Sequence, residues 1–126
     1  MASLETQCCT FRLDPRGFVH ATMRDAARFE LHDAREAVAV TWKVAGEVRR
    51  PVLVDIRGVR SQTREAREYF MSEEAAERVV AVALLAASPL SRMLGNFFLR
   101  VGAHRIPTRL FTREEAACDW LLEHLR

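Results

Sequence analysis

Lysine is almost missing from this chain. Lys43 stands alone among nineteen basic residues, the rest being arginine. Such a bias is as consistent with high-GC coding as with phosphate binding, and seventeen acidic residues cut the formal charge to +2. That is too little to mark a nucleic-acid footprint. Cysteine is scarce too. Cys8, Cys9 and Cys118 are odd in number and make no CxxC and no Cys/His ligand spacing, so no metal is expected. They read as small buried or edge-strand residues; the alternative, a redox thiol, requires a lowered pKa. The five glycines occur singly, with neither GxGxxG nor GK[ST], and no GxSxG elbow is present.

Catalytic groups are missing in the same way. His20, His32, His104 and His124 are scattered, so Ser88 and Ser91 have no visible base, and no catalytic residue or cofactor is expected. The adjacent pairs Glu73-Glu74 and Glu114-Glu115 cannot face each other on a helix. No segment reaches eighteen apolar residues, the length a membrane span requires. The opening MASLETQCC lacks a basic region followed by an apolar core. A cytoplasmic, non-enzymatic protein without a membrane span is the expectation.

What is present is a well-punctuated α/β pattern in 126 residues, 49% of them hydrophobic, which fits one domain over 1–126. Its centre is PVLVDIRGVRSQT at 51–63. Val52, Leu53 and Val54 are continuously apolar, as expected of an inner parallel strand buried on both faces. The polar bend after them falls where open α/β sheets place ligand and partner surfaces. Before it, residues 6–13 and 18–23 read as an antiparallel hairpin closed by Asp14, Pro15, Arg16 and Gly17. Residues 31–45 carry Ala34, Ala37, Val38, Thr41 and Trp42 at helical spacing, with Gly46 as a stop.

After the centre, TREAREYF reads as a helix. A further helical piece starts at Ser72, and Val79 to Leu85 is a second buried strand. Ser88 and Pro89 start another helix, with Gly95 set against a neighbouring backbone or marking a local break. Pro107 to Phe111 is a last short strand. Thr112 with Glu115 forms a capping box for a C-terminal helix whose inward face is Ala116, Ala117, Trp120, Leu121 and Leu125. The order β-β-α-β-α-β-α-β-α argues for a mostly parallel sheet with an N-terminal antiparallel hairpin.

Three stretches, PVLVDIRGVRSQTREAREYF, ALLAASPLSRMLGNFFL and PTRLFTREEAACDWL, resemble the anti-sigma-factor-antagonist type of domain. This is the STAS or SpoIIAA-like superfamily, here in its branch of small stand-alone STAS/SEC14-like bacterial proteins. The resemblance implies a SpoIIAA-like α/β fold, a homodimer, and a regulatory protein partner such as a kinase or an anti-sigma-type regulator. In regulatory members a serine or threonine after the central strand is phosphorylated at a helix start. The matching positions are Ser61 and Thr63, although Arg60-Ser61-Gln62-Thr63-Arg64 replaces the aspartate-serine pair and following glycine of those domains.

Each candidate has a plain reading beside its functional one. Ser61 and Thr63 are helix-start hydroxyls or phospho-acceptors. Asp55 either satisfies backbone donors in the bend or meets a partner's arginine. Arg57, Arg60 and Arg64 form either an anion-binding rim or solvated pairs with Glu65 and Glu68. Met93, Leu94, Phe97 and Phe98 exceed what one helix stripe needs, so an apolar-ligand or dimer surface stands as the alternative to partner docking, SEC14-like folds being lipid carriers.

Overall fold

In the computed structural model, which describes residues 3–101 and 106–125, the Val52-Leu53-Val54 run lies in mid-sheet. The elements are β1 (Ser3–Glu5), β2 (Cys9–Leu13), β3 (Val19–Met23), β4 (Ala27–Phe29), α1 (Leu31–Val44), β5 (Arg50–Asp55) and β6 (Val59–Gln62). They continue with α2 (Arg64–Phe70), α3 (Glu73–Ala76), β7 (Val79–Leu85), α4 (Pro89–Val101), β8 (Thr108–Phe111) and α5 (Glu114–Glu123). The main sheet runs β1-β2-β3-β5-β7-β8. Its first three strands are antiparallel and the rest join in parallel.

β5 is apolar without alternation because both of its faces are covered. Val52 lies opposite Val19 on β3 and Val82 on β7. It points with Ile56, Leu84 and Phe11 into a core roofed by Ala34 and Ala37 of α1 and Ala66 of α2. Leu53 faces the other way, with Ala83, Leu85 and Phe18, and packs on Ala117, Cys118 and Leu121 of α5. Each such leucine contributes about 1.5–3 kcal/mol at most.

The turn after β2 forms as expected: Gly17 N donates to Asp14 O at 2.9 Å and Gly17 takes φ 111°, a region open to glycine. The helix at 31–44 is capped when Asp33 Oδ2 accepts the Glu30 amide at 2.9 Å. Gly95 neither breaks α4 nor meets a neighbouring backbone; it makes room for side chains instead, since a Cβ there would lie 2.5 Å from Leu110 Cδ1 and 3.6 Å from Ile56 Cδ1.

Several expectations need correction. β1 extends the expected hairpin to three strands. β4 and β6 form a separate two-stranded parallel sheet, Phe29 opposite Gln62. The bend of 57–63 therefore contains a strand, and Ser61 sits exposed in β6, not at a helix start. The Thr112 capping box does not form. Arg113 is the N-cap of α5 and makes no side-chain cap bond. Leu125 lies outside the inward face, at 40% exposure. His104 and the side chains of Phe97 and Phe98 lie outside the described residues.

Candidate functional site

The carboxyl ends of β3, β5, β7 and β8 converge on one rim, which holds the sequence-derived candidates. Asp55, buried at the end of β5, accepts from the Arg57 amide at 3.0 Å, from Arg57 Nε at 3.0 Å and from Nη2 at 2.7 Å. This fork holds Arg57 protonated, its pKa raised by the hydrogen bonds to Asp55. Glu114 stands 3.9 Å from the same guanidinium. Asp55 thus takes its plain role, satisfying the bend. Arg64 pairs with Glu68 at 3.2 Å, and Thr63 caps α2 by accepting the Ala66 amide at 3.1 Å. Arg60 and Ser61 are exposed. Two of the three rim arginines, Arg57 and Arg64, are paired with carboxylates within the chain.

Close packing fixes this bend. A Cβ on Gly58 would lie 2.7 Å from Asp25 Oδ1 and 3.0 Å from Asp25 Cα. In the same segment Gln62 is buried, and among the described residues neither its Nε2 nor its Oε1 has a hydrogen-bond partner. At the next helix start, Ser88 Oγ accepts the Ser91 amide at 3.1 Å, while Ser91 Oγ accepts the amides of Ala87 at 2.9 Å and Ser88 at 3.0 Å. The two serines cap α4 reciprocally, with Ser91 doing what a glutamate does in the usual box. Arg92 and Asn96 are exposed.

Sequence spacing missed a polar cluster on the sheet face that bears α5. Arg16 and Arg12 hold Asp14 at 2.9 and 3.4 Å, and the Arg16 hydrogen bond first of all pulls that carboxyl down to about 2. Arg12 Nη2 lies 2.9 Å from His20 Nδ1. Arginine only donates, so Nδ1 must accept and the ring is neutral with its proton on Nε2. Burial, and next the Arg12 charge, lower the pKa of His20 accordingly. The signal was available in the pairing of residues 12 and 20 across the hairpin.

Among the described residues, one group offers metal-ligand chemistry. Glu30, His32 and Asp33 bring their ligand atoms within 4.8 Å of one another. Asp33 is already engaged there as the α1 cap.

On the opposite face, an apolar cavity of about 150 Å³ lies between the sheet and the helices. Its floor is Cys9, Phe11, Ala21, Val52, Val54 and Val82, and its roof comes from α1, from α3 and from Phe70. The sequence placed an apolar surface on α4 instead. Met93, 60% exposed, and Leu94, buried in the core, do not line this cavity. The lining residues are spread over 9–108, at most three from any one element, so no local pattern could reveal them. Among the described residues no helix is long and apolar enough to cross a membrane.

Comparison with known proteins supports the same architecture. Residues 11–125 match the family model for a domain of unknown function, DUF7793. The chain belongs to the DUF7793 family. No curated protein matches it. An uncharacterised DUF3478-family protein from Shewanella loihica PV-4, described as having a SpoIIAA-like fold, is similar with TM-score 0.60 and 12% identity, over 95% of this chain and 90% of the other. A protein of unknown function from Arthrobacter sp. FB24 shares 29% identity over 88% and 96% of the two chains, with TM-score 0.30. This DUF7793 chain has the SpoIIAA-like fold that its sequence resembles.

Proposed function

We propose that this protein is a non-enzymatic module that binds a small apolar molecule between its sheet and the α1–α3 layer. The observation that carries this is the cavity of about 150 Å³ lined mostly by Val, Ala, Ile, Phe, Leu and Met side chains. A dry apolar cavity of about this size accepts benzene. Binding is tested with toluene, an uncharged ligand of suitable size. Saturating toluene raises Tm, and Ala37→Phe, which fills the cavity from α1, removes that shift. Equal Tm with and without toluene in the unaltered protein sinks the proposal.

A second reading is docking of a regulatory protein at the rim, favoured by exposed Arg60, Ser61 and Arg64 beside half-exposed Arg57. Folds of one type serve many activities, so the rim is tested directly. Arg60→Glu should abolish co-purification of a partner at unchanged Tm, and undiminished co-purification removes this reading.

A further inference from the structure

We infer that the ligand of this cavity is a small carboxylic acid, its alkyl or aromatic tail among the valines and its carboxylate on Arg78; this rests on the apolar-ligand reading above. The inference comes from accounting for every polar group that lines the space. Thr41, Ser72, Arg78 and Thr108 are the lining residues with side-chain oxygen or nitrogen. Three of them are already committed. Thr41 Oγ1 donates to Ala37 O at 2.7 Å, Ser72 Oγ to Tyr69 O at 2.6 Å, and Thr108 Oγ1 to Ile106 O at 3.2 Å. Each hydroxyl has one proton, so none is left for a ligand.

Arg78 is different. It follows α3, is half-buried, and places its Cζ 5.8 Å from the ring centroid of Trp42 on α1. Among the described residues no carboxylate pairs with it, and no Asp or Glu lines the cavity. The remaining titratable wall group, the Cys9 thiol, is pushed up to about 12 by burial and so stays uncharged. A neutral polar ligand finds no free hydroxyl proton here, and a cationic one meets a like charge. Arg78 is the one cationic lining residue, and a guanidinium's fork matches a carboxylate bidentately. The indole face holds the cation in place before a ligand arrives.

The experiment compares octanoate with 1-octanol by titration calorimetry at pH 7, on the unaltered chain and on Arg78→Gln and Arg78→Lys. Octanoate should bind at least about tenfold tighter than octanol, a preference typical of a charge-assisted pair. Arg78→Gln should erase the preference while octanol still binds, and Arg78→Lys should keep part of it. Equal affinities for both ligands, or an octanoate preference that survives Arg78→Gln, overturn the role of Arg78 while the cavity reading stands. If neither octanol nor octanoate binds and toluene does not raise Tm, both fall together.

Discussion

The rim and the cavity sit on one sheet and solve opposite problems. At the rim, several polar groups are matched within the chain: Asp55 with Arg57, Arg64 with Glu68, Thr63 with the Ala66 amide. Around the cavity the lining is mostly apolar, and among the described residues no carboxylate pairs with its one cation. A satisfied charge has little left for a partner, because its donors must first be taken from an existing bond. Chemistry-bearing residues are therefore poor pointers where they are conspicuous. The informative groups are those whose partners are missing.

The comparison is broken most forcefully at the layer roofing the cavity. Phe29 is fully buried at the end of β4 and meets Phe70, a cavity wall, edge-on at 5.9 Å. Phe29→Ala should cost about 3–5 kcal/mol in urea unfolding and weaken the toluene-induced rise in Tm, because the roof loses its support. A loss below about 1 kcal/mol would mean that the roof is held by other contacts. Next in size is the rim. Asp55→Ala leaves the Arg57 amide and guanidinium without their acceptor, and should cost about 1–3 kcal/mol with toluene binding retained. Loss of toluene binding in that variant would show that rim and cavity are one site.

Much of the fold was legible because burial on two faces writes itself into sequence. Val52 to Val54 and Val79 to Leu85 are unbroken apolar runs, and both proved to be inner strands. Ser72 and Ser88 marked helix starts that formed. Short strands with few buried side chains left no such mark. β6, VRSQ, has two exposed polar residues at its centre, and β4 is three residues long after Ala26 at φ 62°. Thr112 failed as a cap because the helix began one residue later, at Glu114. The rim residues were legible as a set since they are contiguous. The cavity was not, because it belongs to the sheet's tertiary pairing.

A smaller effect, confined to a pH window, separates the polar cluster on the α5 face from the cavity. His20 keeps its ring neutral beside Arg12, and its pKa in the folded chain lies below the ordinary 6.5. Between those two values the unfolded chain binds more protons than the folded one, so stability rises with pH there. The contribution is complete above 6.5 and is lost as pH falls through that value toward the folded one. Urea unfolding from pH 7.5 down to pH 5 should show the decline, and His20→Gln should flatten it. A decline of the same size in the variant would assign it to other groups. Toluene binding, on the opposite face, should not follow this titration.

The smallest expected effect is also the sharpest check on the rim. Arg64 and Glu68 are 82% and 60% exposed and sit one helical turn apart on α2. Solvent screens both charges, and holding two long side chains together costs entropy that offsets the attraction. Arg64→Ala should therefore change stability by no more than about 0.5 kcal/mol, with any difference vanishing in 1 M salt, where the screening length falls to about 3 Å. If Arg64 served only this pair, its removal would be silent in every assay of the isolated chain. A loss of co-purified partner at unchanged Tm would give Arg64 a role the intramolecular pairing does not explain. That result would move weight from the cavity to the rim.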